Sequence, residues 1–564
     1  MEYTPFSIRG GTELVDDNAK TEEASDNKSD GLSMDYAFKG WSYKIQESLS
    51  LFVPNLYGGA SFDTFDKKSE TYQFLKSNNA LQNLNYFPTY WGGMRFTAGP
   101  NYLGASFIVL FIFSIFFLRL ESRIWLLSSF TFFLILTWGD NFFLNELLFK
   151  YLPAYNKFRT PSMAVTSMSI IMSLSVGMGF INFFNTDLGK LSKNKMNIVL
   201  LCIGAPFLLA LFFMWNSDFL STREIELGKG GNIPEALFDA IANDRKKLLS
   251  KDLFRSFFFV AIALLPIYYY IKKKISAKYV MIGLVAVVFI DLYSFNDRYL
   301  SKPNVFVKNR EKAQTNFTPT VADQMILKDT SYYRVFDVSN SPFNDARVSC
   351  FHNSIGGYSA LKMQRYQEII ENYLGKSHKG VLDMLNAKYL ITGNPKQPVF
   401  LRPSASGAAW LVSSVKQVNN ANQELEALNS LDMKQSAVVD VEKFPLKNTR
   451  FSTENSSIAL VYNNTQKLIY KANLSHNALA LFSEVYYPKG WEITVNGKPQ
   501  KAIRANYILR ALELPQGEHE IVFEFKPKPY VLGNKISYAG STIVLLLFLI
   551  LSFMLIKKKE IKLS

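Results

Sequence analysis

Apolar residues follow two rhythms along this chain. At about 102–118, 124–138, 162–182, 197–215, 254–271, 279–295 and 538–556 they form blocks nearly free of charge. Each block predicts a membrane-spanning helix, since a span needs roughly 20 apolar residues. The last, "STIVLLLFLILSFMLI", has no polar face and is therefore not a helix lying on a soluble core.

Between residues 296 and 537 the rhythm shortens. "YYRVFDV" and "AKYLITG" predict strands, and "SALKMQRYQEIIENYLG" (Ser359–Gly375) predicts a helix stopped by glycine. In "WEITVNGKPQKA", Trp491, Ile493 and Val495 alternate with polar residues, and Asn496-Gly497 supplies a hairpin turn. "ILRALELPQGEHEIVFEF" repeats the pattern around Gln516-Gly517, so a small β-sandwich is expected beside the membrane. Upstream, residues 1–34 are expected to be disordered, and "WSYKIQESLSLFVPNLYGG" (Trp41–Gly59) predicts an apolar helix stopped by Pro54. The expected fold is an α-helical transmembrane bundle plus an extracytoplasmic α+β region with a membrane-proximal β-sandwich. Its parts are a leader (1–100), six membrane helices (101–295), a mixed α+β domain (296–450), the sandwich (451–537), and a last helix with a basic tail (538–564).

Charge changes the picture by giving a direction. The formal net charge is +15, and many of the cations flank apolar blocks, which makes topology a simpler cause than nucleic-acid binding. Arg119 and Arg123, then Lys190, Lys193 and Lys195, then Lys272, Lys273, Lys274 and Lys278, and finally Lys557, Lys558, Lys559 and Lys562 all fall on one side of seven spans. That side is expected to be the cytoplasm, with residues 1–100, 139–161, 216–253 and 296–537 outside. A polar leader whose start, "MEYTPFSIRGGTELVDDNAK", lacks an apolar signal core would then have to cross. Either this topology is wrong or the chain is the carboxyl-terminal part of a longer protein; the second is expected.

Candidate chemistry is sparse. Two cysteines, Cys202 and Cys350, offer no disulfide framework, and four scattered histidines have no metal-ligand spacing. With no phosphate-binding glycine loop, no cofactor, metal or nucleotide is called for. "YNKFRTPSM" (Tyr155–Met163) is the most suggestive stretch. Thr160 is the expected N-cap and Pro161 the first helical residue, so the positive helix end, Lys157 and Arg159 would form an anion site at the outer surface or simply anchor lipid headgroups. Asp140 is read either as lining a polar cleft or as capping the helix "NFFLNELLF". Asp291, at the outer end of its span, is read as a cleft residue, one half of a buried pair or a snorkelled boundary residue. Tyr90 and Trp91 would stack on glycan or belong to an interfacial aromatic belt. His352, beside a Gly-Gly loop, would contact an acceptor glycan or serve structure.

"WSYKIQESLSLFVPNLYGGAS", "YWGGMRFTAGPNYLGAS", "YLPAYNKFRTPSM", "FHNSIGGYSALKMQRYQEII", "VLDMLNAKYLITG" and "YYPKGWEITVNGK", in that order from about Trp41 onward, resemble the YfhO family of bacterial multi-span membrane proteins. The resemblance implies a GT-C-like glycosyltransferase of the bacterial cytoplasmic membrane, moving a sugar from a polyprenyl-phosphate carrier to an extracytoplasmic cell-envelope polymer. Lys157 and Arg159 would then bind the carrier phosphate. Family members carry further amino-terminal spans and an acidic first outer loop, which this sequence lacks, so no catalytic acid is carried over. The alternative reading is a non-catalytic membrane protein that binds or exports cell-surface glycan.

Overall fold

Length and charge decide which helices can cross lipid. In a computed structural model, which describes residues 2–14, 32–190, 192–230, 233–300 and 318–561, six helices are long and apolar enough to do so. The chain divides into a helical unit, Gly31–Lys308, and a mixed unit, Met1–Asp30 with Asn309–Ser564.

The helical unit carries ten α-helices among its described residues: α1 (Met34–Phe38), α2 (Glu70–Ser77), α3 (Ala105–Ile115), α4 (Leu120–Thr137), α5 (Phe143–Tyr151), α6 (Val165–Phe184), α7 (Lys193–Asn216), α8 (Thr222–Lys229), α9 (Glu235–Ile271) and α10 (Ala277–Leu300). The expected spans at 124–138, 162–182, 197–215, 254–271 and 279–295 fall on α4, α6, α7, α9 and α10. The first expected span differs: α3 has 11 residues, about 17 Å of helix against a hydrocarbon core of roughly 30 Å. Its start is fixed by Gly104, whose φ of 98° suits glycine and whose bare Cα lets Leu292 and Asp291 approach. In contrast α9, at 37 residues, reaches about 55 Å, so its charged first turns extend past the apolar stretch.

Trp41–Gly59 does not form the expected α-helix. It makes two 3₁₀ turns, Ile45–Leu51 and Pro54–Tyr57. Pro54 has no N–H to continue a helix, and Val53 before it is extended.

In the mixed unit, β1 (Arg334–Asp337) and β2 (Ala387–Ile391) pair in parallel, and β3 (Val399–Leu401) adds antiparallel to β2. β4 (Ala409–Val412), β9 (Ala478–Val485), β13 (Leu509–Leu514) and β12 (Ile503–Ala505) form one antiparallel sheet; β5 (Ser414–Val418) and β6 (Ser436–Asp440) form a parallel pair. A five-stranded antiparallel sheet runs β11 (Lys498–Pro499), β10 (Trp491–Val495), β14 (Gly517–Phe525), β8 (Lys467–Leu474), β7 (Ser457–Asn463). Tyr470, Ile521 and Phe523 of this sheet share one apolar cluster with Phe482, Leu512 and Leu514 of the four-stranded sheet. Because β4 belongs to that sheet, the expected boundary at residue 450 cuts through it.

The β10–β11 hairpin is as expected, with positive φ at both Asn496 and Gly497. The repeat around Gln516-Gly517 is no hairpin: β13 and β14 lie in different sheets. Pro515 cannot donate to a ladder and Gly517 has φ 125°, so the chain passes between sheets there. The helix expected from Ser359 starts at Gln364, because Leu361, Lys362 and Met363 receive the amino-terminal segment: Tyr3 Oη donates to Leu361 O, Ile8 N to Lys362 O, and Ser7 bridges Met363. Residues 2–14 are therefore an ordered strap on the mixed unit, not part of a disordered leader; residues 15–31 of that expectation lie outside the described residues. The last helix, Lys528–Ile561, has no part of its apolar window buried within the chain.

Candidate functional site

α9 organises the helical unit through buried charge. Arg245, 1% exposed, grips both carboxylate oxygens of Glu224 at 2.7 and 2.9 Å and donates to Phe219 O and Pro88 O. One residue earlier, Asp244 accepts from Glu70 N, Thr71 N and Thr71 Oγ1, and so caps α2 from another helix. Two turns on, Asp252 pairs with Arg298 of α10 at 2.7 Å. Arg255 pairs with Asp291 of α10 at 2.9 Å. Asp291 also accepts from Tyr102 Oη and from Ser106 N and Oγ. The two crossed pairs fix the antiparallel register of α9 on α10.

Toward the α9 amino end a polar cleft of about 400 Å³ opens, within the roughly 300–1,000 Å³ typical of ligand sites. The loop after Gly59 contributes Asp63, Asp66 and Lys68; α9 contributes Lys247, and α10 contributes Arg298 and Tyr299. Local turns hold the loop. Asp63 Oδ2 accepts from Ala60 N at 3.2 Å, Asp63 O from Thr89 N, and Asp66 Oδ1 from Lys68 N at 2.7 Å. On the rim, Lys247 donates to Glu70 at 2.5 Å, which lowers the Glu70 pKa. Carboxylates and cations thus line one cleft.

None of the residues singled out in the sequence lines this cleft. Asp291 is the nearest to it along α10, and it is fully buried as one half of an ion pair. Tyr90 and Trp91 are 8% and 6% exposed. Tyr90 Oη donates to Glu47, whose own pKa burial pushes up, and Trp91 packs on Tyr57, Phe213 and Phe219. Neither ring offers a face to glycan, nor is either in a surface belt. Asp140 is exposed in a 3₁₀ turn; α5 begins at Phe143, and no side chain caps it, so Asp140 is not its N-cap.

Arg159 lies over the rings of Tyr36 and Trp41, at 4.7 and 4.4 Å, and donates to Tyr36 Oη. Its neighbours seat the same segment: Thr160 N donates to Ala37 O, and Leu32 N donates to Asn156 O. Pro161 stands first in a 3₁₀ turn as expected, but Thr160 is left-handed at φ 67° and its hydroxyl makes no cap. Lys157 is half-buried on the same loop. His352, in the mixed unit, is buried with Nε2 3.1 Å from Asp323, which also holds Arg347. Burial lowers its pKa.

Residues 412–537 match the family model described as bacterial membrane protein YfhO. That segment runs from the end of β4 through β14 into the last helix, so the resemblance read from the motifs is met over the carboxyl-terminal sheets. No curated protein and no solved structure matches the chain. The cleft lies outside the YfhO-matching segment. Its sequence signal was "FDTFDKKS" (Phe62–Ser69), two acids and two lysines after a Gly-Gly pair.

Proposed function

We propose that this protein transfers a sugar from a polyprenyl-phosphate carrier to an extracytoplasmic cell-envelope polymer, at the outer face of a bacterial cytoplasmic membrane. One observation carries the reading. The cleft brings together residues 55–69, 244–248 and 298–299, beside the point where α9 passes from its charged first turns into its apolar stretch. Acid, cation and lipid boundary therefore meet where such a carrier would present its head.

In this reaction Lys68, Lys247 and Arg298 hold the donor phosphate. The Asp63 carboxylate takes the proton of the acceptor hydroxyl as that oxygen attacks the anomeric carbon. The carbon–oxygen bond to phosphate breaks, and polyprenyl phosphate leaves with the electron pair. Lys157 and Arg159 serve as a second contact for the carrier. The two antiparallel sheets stand outside as a sandwich next to the last span.

The test is transfer from a radiolabelled polyprenyl-phospho-sugar by the full chain in nanodiscs. Asp63→Asn is expected to lower transfer about a hundredfold or more, the usual contribution of a general base, with donor binding retained. Transfer by Asp63→Asn at the wild-type rate would overturn the assignment, as would the absence of any donor-dependent turnover.

A further inference from the structure

The strap and the mixed unit enclose a second cavity, of about 200 Å³. Its walls are rings on three sides: Phe6 from the strap, Tyr366 from the helix Gln364–Asn372, and Phe444 and Tyr486 from the loops after β6 and β9. Between the rings stand planar polar groups, Glu13, Gln364, Arg365 and Arg504. They are held from behind. Glu424, fully buried, takes Arg365 at 3.0 Å and Arg504 at 3.3 Å, and Glu13 takes Arg365 and Lys443, each at 2.6 Å. Arg504 is 6% exposed, and its Nε has no hydrogen-bond partner among the described residues.

We infer that this cavity is a saccharide-binding subsite for one pyranose unit, completed by the amino-terminal strap. Aromatic faces suit the C–H faces of a sugar ring. Carboxylate, amide and guanidinium edges supply both acceptors and donors for its hydroxyls. The positive and negative groups largely offset each other, which favours a neutral ring over an ion. A volume below the roughly 300 Å³ of common ligand pockets fits one ring and not an oligomer. The subsite belongs to the mixed unit and does not depend on catalysis in the helical unit.

Saturation-transfer NMR on the full chain in nanodiscs tests it, with methyl glucoside, methyl galactoside and methyl N-acetylglucosaminide as probes at about 10 mM, where weak millimolar binding is visible. At least one glycoside is expected to show ring C–H saturation. Phe6→Ala, Phe444→Ala and Gln364→Ala should each weaken it about fivefold or more, a difference of roughly 1 kcal/mol by the tenfold-per-1.4 conversion. Phe6 is half-buried on the strap, so its replacement leaves the unit folded, as thermal unfolding will verify. The surface variant Lys526→Ala should leave the signal unchanged, so that loss confined to the cavity variants separates this subsite from the cleft. Saturation by none of the three glycosides overturns the inference. Saturation that survives all three cavity variants overturns it equally.

Discussion

The two units bury charge differently. In the helical unit the buried pairs are one to one: Arg245 with Glu224, Arg298 with Asp252, Arg255 with Asp291. In the mixed unit Arg402 with Asp383 is also one to one, but one cluster is shared: buried Glu424 serves Arg365 and Arg504, while the exposed Glu13 adds to Arg365, Lys443 and Arg504. Each of the three helical-unit carboxylates has one cationic partner among the described residues, so removing that partner orphans the charge. Where partners are shared, losing one leaves another in place.

The contrast can be broken most sharply at Arg245. Arg245→Ala strands a buried Glu224 and is expected to destabilise the protein by about 3–5 kcal/mol, read as the unfolding midpoint in detergent. Glu424→Gln should lose less, about 1.5–3 kcal/mol, since Arg365 keeps Glu13. Equal losses at the two positions would erase the distinction.

Acid should act next, on the strap. Burial alone would raise the Glu13 pKa, but hydrogen bonds from Arg365 and Lys443 and the charge of Arg504 hold it at about 2, below the ordinary 4.5. A depressed carboxylate stabilises docking fully above its unfolded pKa and loses that support as pH falls through the folded value. Protease protection of residues 2–14 is therefore expected to hold at about pH 5 and fade toward about pH 2. Glu13→Gln should lack that acid limb.

At the small end, Arg159→Ala should cost about 0.5–1 kcal/mol through its lost cation–π contacts, and Arg159→Lys should recover part of this, lacking the planar stack. A tenfold or larger fall in transfer at unchanged stability would instead support the phosphate contact. Lys526, paired on the surface with Glu492 and Glu524, should be replaceable by Ala with no shift in midpoint.

Spans were legible because a long apolar block has few alternatives in lipid. α3 is shorter than expected at both ends: Gly104 delays its start, since glycine in an apolar run does not announce a close neighbour, and the helix stops at Ile115, three residues early. The β10–β11 turn was legible since Asn-Gly demands positive φ at both positions. Its apparent twin at Gln516-Gly517 was not, because local alternation says nothing about which sheet receives each strand. The cleft was missed for the same kind of reason. Asp63, Lys247 and Arg298 lie far apart in sequence, and only the packing of α10 and of the loop after Gly59 on α9 gathers them. Arg159 is expected from the sequence to meet an anion or a lipid headgroup; its aromatic partners Tyr36 and Trp41, over a hundred residues away, are not legible there.

The strap has a consequence for how the chain is made. Glu13 meets Arg365 across 352 positions, and the whole helical unit is encoded between them. At about 5–20 residues per second, a ribosome needs roughly 20–70 s to reach the docking site after the strap has emerged. During that interval the helices are being threaded into the bilayer while the strap has nowhere to bind. A chaperone, or a pause in translation, therefore has its longest opportunity at the strap, residues 2–14. The strap's seat is complete only once Lys443 and Arg504 have followed Arg365.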